Sequence, residues 1–145
     1  MKPVRVTAVL VGLAMGGGFA GVAAAQQKVD LGKREYDASC AVCHGQKGRG
    51  DGPYGPLMGK GEIGAADLTT LAKRNNGVFP FARVYEFIDG TQTVKAHGTR
   101  EMPIWGQEYQ VEGRVLYGAG SSQSEVYVRA RIMALTEYVY RLQAR

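Results

Sequence analysis

The chain has 145 residues, 21 of them glycine, and a net charge of +5 from 18 Lys and Arg against 13 Asp and Glu. That is room for one domain with a limited apolar core of its own, because glycine adds no side chain and costs backbone entropy. The cations are scattered, adjacent only at Lys33-Arg34 and Lys73-Arg74, so there is no basic stripe of the kind that binds nucleic acid.

The first segment reads as an export signal. Lys2 and Arg5 are followed by an uncharged run from Val6 to Ala25, which ends in the small residues Ala23-Ala24-Ala25 before polar Gln26-Gln27. This is the order of a positive region, an apolar region and a cleavage site. The alternative is an uncleaved membrane anchor, since about 20 apolar residues just span a bilayer; the glycines at 12, 16, 17, 18 and 21 and the cleavage site argue against it. Residues 1–25 are therefore expected to be removed, leaving 26–145 as a single domain delivered to the periplasm with a mildly basic charge. Only the uncleaved form would meet a membrane.

Both cysteines lie in Cys40-Ala41-Val42-Cys43-His44. This C-x-x-C-H sequence is a haem-attachment pattern. On a helical turn, residues three apart share a face, so two thiols there can each add to one haem vinyl group. The next residue, His44, then offers an imidazole to the iron. Three plainer readings fit less well. A Cys40–Cys43 disulfide would close too small a loop to gain much. A thioredoxin-like pair needs a βαβ context that is not visible. A zinc site lacks a second cysteine pair, with His97 the only other histidine. One covalent haem c is the expected cofactor.

A glycine-rich run follows, with Gly45, Gly48, Gly50, Gly52 and Gly55, then Pro56 and Leu57. Two short helices are predicted next. Asp67 can cap one that reaches about Asn75, with Gly77 beyond it. Another runs from Pro80 to Asp89 with Gly90 as its stop and Phe81, Val84, Tyr85 and Ile88 as its apolar face. No convincing strand is present.

The sixth iron position decides between electron transfer and ligand chemistry. Met15 leaves with the leader, Met133 sits in a helical pattern and reads as core, and Met58 is too close to His44 to wrap to the other haem face. Met102 lies in the loop Gly98–Gly106, where Pro103 and the flanking glycines exclude a regular helix. It is the preferred ligand, with His97 as the rival. Beside it, Arg100 and Trp105 are candidate partners for the haem propionates, as a charge and an indole donor. Residues 107–121 contain Tyr109, Val111, Val115, Leu116 and Tyr117; they are compatible with a hairpin about Glu112-Gly113, a lid or a docking surface. The stripe Val128, Ile132, Leu135, Val139, Leu142 then marks an amphipathic helix that Ser122 or Ser124 could cap.

These residues resemble class I c-type cytochromes over nearly all of the mature chain. The resemblance rests on the C-x-x-C-H motif, the glycine loop ending in Gly55-Pro56, the Met102 loop, and Gly32, Tyr36 and Cys40 at spacings of four. It implies an all-α cytochrome c fold of three to five helices around one haem. It also implies that the carboxy-terminal helix crosses at Gly32, with Leu135 and Tyr138 against it. The carbonyl of Pro56, or of the rival Pro53, is implied as acceptor for the far nitrogen of His44. The expected function is periplasmic transfer of single electrons between redox proteins, by a carrier rather than an enzyme. The alternatives are a dedicated haem subunit of a periplasmic dehydrogenase or oxidase, or a haem enzyme or sensor with a labile sixth ligand.

Overall fold

A computed structural model describes residues 29–57, 64–91 and 102–144. Among these the fold is all-helical, with six α segments and no strand: α1 (Leu31–Ser39), α2 (Ala41–His44), α3 (Leu71–Arg74), α4 (Phe81–Asp89), α5 (Trp105–Tyr117) and α6 (Ser122–Arg141), with 3-10 turns at Gly55–Leu57 and Leu68–Thr70. None of the described helices is long and apolar enough to cross a membrane. The leader and anchor readings of residues 1–25 fall outside the described residues.

The frame is a crossing of α1 by α6. Asp30 caps α1, its Oδ1 accepting from the Lys33 N–H at 3.0 Å, and the Arg141 guanidinium at the far end of the chain closes on the same carboxylate at 2.6–2.8 Å. At the crossing, a Cβ on Gly32 would collide with the Ala134 carbonyl and reach 3.0 Å from the Tyr138 Cβ. Only glycine admits this approach. One turn on, the Tyr36 and Tyr138 rings pack tilted at 4.9 Å. The predicted stripe is the buried face of α6: Val128, Ile132, Leu135 and Val139 are all buried, with Leu142 half-buried at its end. Its cap is Ser121, one residue before the serines expected, with its Oγ accepting from Ser124 N–H at 3.1 Å. Met133, read as core, instead faces outward at 42 % exposure, because it falls between stripe positions.

Residues 105–117 are the main departure from expectation. They form helix α5 rather than a hairpin or lid. Gly113, read as a turn residue, lies mid-helix where a Cβ would sit 2.6 Å from Ser124 Oγ and 3.2 Å from its carbonyl oxygen. It is a second crossing glycine, this time for α5 on α6.

A buried ionic cluster ties α1, α5 and α6 together. Glu35, 5 % exposed, meets Arg131 at 2.8 Å and accepts a hydrogen bond from the Tyr109 hydroxyl at 3.3 Å. Arg131 also reaches Glu112 at 3.2 Å and lies between the rings of Tyr109 and Tyr127 at 4.8 and 5.0 Å. Its guanidinium is thus held by two carboxylates and two aromatic faces drawn from α1, α5 and α6 itself.

Two outcomes are expected in denaturant titrations of the mature protein. Gly32→Ala should lose about 1–3 kcal/mol by overpacking, whereas Gly64→Ala, whose Cβ would meet nothing closer than 3.4 Å and whose φ is not in the left-handed region, should lose less; a Gly32→Ala protein as stable as the parent would refute the tight crossing. Arg131→Met leaves buried Glu35 with only the exposed, more distant Arg34 at 3.7 Å as a cation and should cost about 3–5 kcal/mol. A loss below about 1 kcal/mol would show the pair to be energetically idle.

Candidate functional site

The site begins where α1 ends. Cys40 closes α1 and opens α2, so Cys40, Cys43 and His44 follow one another on a single turn, both cysteines unbridged and half-buried. A four-residue helix leaves most of its carbonyls without intrahelical partners. The glycine loop supplies them. Gly52 N–H donates to the Cys43 carbonyl at 3.1 Å, Tyr54 N–H to that of Val42 at 3.0 Å, and Gly50 N–H to that of His44 at 2.8 Å. The loop lies so close over the turn that a Cβ on Gly52 would be 2.6 Å from the Val42 and Cys43 carbonyl oxygens. From below, the buried Tyr36 hydroxyl donates to the Gly45 carbonyl at 2.7 Å. The turn is thereby fixed on two sides by hydrogen bonds.

His44 Nδ1 lies 2.9 Å from the carbonyl oxygen of Ala66. A carbonyl only accepts, so Nδ1 carries the proton and Nε2 keeps its lone pair for a metal. This corrects the expectation for Pro56. Pro56 sits exposed in the 3-10 turn Gly55–Leu57, and the loop that carries it is occupied in bonding the α2 carbonyls. Ala66 comes into place because Leu68 N–H bonds to the Gly48 carbonyl at 2.7 Å and because Asp67 caps the following turn, accepting from Thr69 N–H at 2.8 Å and from its hydroxyl at 2.7 Å. An acceptor that is part of the main chain has no side-chain signature, although Asp67 was legible as a cap.

Burial first, then the Glu35 carboxylate and Cys43, push the Cys40 thiol up to about 12. A sulfur held this far from ionisation does not suit a redox dithiol or a thiolate metal ligand, both of which need the anion. It suits a neutral thioether.

The Cys40 side chain packs on the core cluster together with half-buried Leu68, Leu71, Phe79, Val84, Tyr85, Met102 and Trp105. Met102, Trp105 and Cys40 are thus each half-buried against the same hydrophobic core. Trp105 opens α5 and packs near Tyr109, ring centroids 6.3 Å apart. Arg100, His97 and Met58 lie outside the described residues. Two unbridged cysteines on one helical turn, an imidazole with a free Nε2 and a methionine thioether packed on the same core make a donor set that fits a covalently attached haem.

The family model described as Cytochrome c matches residues 29–137. No curated protein and no solved structure matches the chain.

Asp67 gives the site a pH dependence. Its hydrogen bond from the Thr69 hydroxyl, with that from the Thr69 N–H, holds the carboxyl below its ordinary value of 3.8. The carboxylate's contribution is therefore complete at neutral pH and is lost as pH falls through 3.8 to the lower folded value. Unfolding free energies of the parent and Asp67→Ala should differ at neutral pH, and the gap should shrink as pH falls below 3.8. A gap that stays constant with pH would remove the charge from the explanation.

Proposed function

The chain belongs to the cytochrome c family, and from that premise we propose that it is a single-haem electron carrier with His44 and Met102 as axial ligands, acting in the periplasm. Family membership itself carries haem-based electron transfer. The observation that carries the finer reading is the turn Cys40–His44, whose imidazole is bonded through Nδ1 to Ala66 so that Nε2 is left for iron. One C-x-x-C-H motif and two cysteines in all account for one haem.

Bound there, haem c supplies a one-electron iron couple. The protein's part is to hold everything else still. Cys40 and Cys43 anchor the macrocycle on a turn whose carbonyls are already satisfied by the loop 50–54, so the attachment point does not shift. His44 is fixed in tautomer and ring orientation by Ala66. Met102 as the second ligand is supported by its half-buried place against the same core as Cys40, and by the softness of a thioether, which would favour the reduced metal. Held by His44 and Met102, the iron would supply one-electron chemistry with no change of ligands. Phe79, Val84, Tyr85 and Trp105, half-buried against the core, would add apolar surface to the protein around such a group.

Export is supported by the charged, apolar and small-residue regions of residues 1–25. The mild positive charge of the remainder suits encounter with acidic redox proteins as donor and acceptor.

Three measurements test the reading. The exported, mature protein should keep haem stain on a denaturing gel, and Cys40→Ala with Cys43→Ala should lose it. The oxidised protein should show the weak near-red band of sulfur ligation, lost in Met102→Ala and retained in His97→Ala; the reverse pattern would give the ligand to His97. The reduced parent should not bind carbon monoxide at neutral pH. Ready binding would favour a sensor or enzyme, and stoichiometric copurification with a dehydrogenase or oxidase would make the chain a fixed subunit instead of a shuttle.

A further inference from the structure

The stretch that carries Met102 is locked to the end of α4 at two points. Gly90 closes α4 in the left-handed region, φ 91°, with its N–H on the Glu86 carbonyl at 2.9 Å. The Ile104 side chain lies directly on it: a Cβ at Gly90 would be 3.2 Å from the Ile104 Cβ and 3.3 Å from its Cγ1, and would collide with its Cγ2. Two residues later the geometry is repeated with the partners exchanged. Gly106, buried in the first turn of α5, sits against Asp89, where a Cβ would collide with both the carbonyl oxygen and Oδ1 and lie 3.1 Å from the carbonyl carbon. Each element thus offers a glycine to a non-glycine residue of the other.

Between this lock and the ligand there is little freedom. Pro103 has a fixed φ, and the residue before a proline is confined to extended backbone, so Met102 and Pro103 form a stiff pair. Where Ile104–Gly106 docks therefore sets where the Met102 thioether points.

We propose that Gly106 and Ile104, seated on Asp89 and Gly90, are positioning residues that hold Met102 in its ligating place. This rests on Met102 being the sixth ligand. The collision at Gly106 is with main chain, which cannot swing aside as the tip of a side chain could, so an alanine there drives the first turn of α5 away from α4 by on the order of 1 Å. The stiff pair carries that displacement to the sulfur.

Competition with added imidazole reads the effect directly. An external ligand binds the oxidised iron only in the fraction of molecules whose thioether is off, so its apparent affinity rises as that fraction rises. Gly106→Ala should raise the apparent imidazole affinity of the holoprotein tenfold or more and weaken the near-red band. In a Met102→Ala background, where there is no thioether to displace, the same substitution should change imidazole affinity by less than twofold. Should Gly106→Ala yield no holoprotein, Ile104→Ala, which loosens the lock without a collision, takes its place in the same cycle with the same expected direction. An unchanged affinity in the parent background, or an equal change in both backgrounds, would overturn the proposal. A near-red band that survives Met102→Ala would show instead that the ligand assignment is wrong, and the seat would fall with it.

Discussion

A helix of four residues has almost nothing inside it to hold it together. α2 persists because the glycine loop lies back over it and donates to the carbonyls of Val42, Cys43 and His44, while Tyr36 donates to that of Gly45. Those bonds require a loop backbone within contact distance of another backbone, and Gly52 is where this becomes obligatory. Every chemical property of the site is downstream of that arrangement. The two sulfurs share a face because α2 is helical, the imidazole projects from its last residue, and the loop that binds α2 also delivers Gly48 to Leu68 and hence Ala66 to His44.

The same logic of close approach recurs between helices. Gly32 lets α6 cross α1, Gly113 lets α5 lie on α6, and Gly106 lets α5 begin against α4. The abundance of glycine, which looks like a deficit of core material, is in part the means by which thin elements pack at backbone distance. Arg131 supplies what apolar packing does not, joining Glu35 of α1 to Glu112 and Tyr109 of α5 from its place on α6. Such a cluster gains little over apolar residues of the same volume, but it tolerates only one register of the three helices.

Periodicity and punctuation made much of this legible in the sequence. The stripe of α6, the Asp67 cap and the bounds of α4 follow from local chemistry, the crossing at Gly32 and Tyr36 from the family resemblance, and all appear in the structure. What was not legible depends on partners distant in sequence. Gly113 was read as a turn because glycine punctuates more often than it packs, and nothing near it in sequence announces Ser124. The resemblance implies the carbonyl of Pro56 or Pro53 as the partner of His44, whereas the acceptor is the carbonyl of Ala66, which no side chain marks in the sequence. The segment 105–117 carries few buried positions, Gly106, Tyr109 and Gly113, and two of these are glycines, so its helical period is written mostly in residues that have no hydrophobic signal.

That acceptor has a consequence for how the protein can change over evolutionary time. A carboxylate behind an iron-bound imidazole is open to single substitutions, and each would reset the electron affinity of the metal in one step. A peptide oxygen is not encoded by any one codon. Drift at residue 66 leaves it intact, and its placement varies only as the neighbouring bend is reshaped by several residues together. The hydrogen-bond partner of this histidine is therefore buffered against point mutation at residue 66.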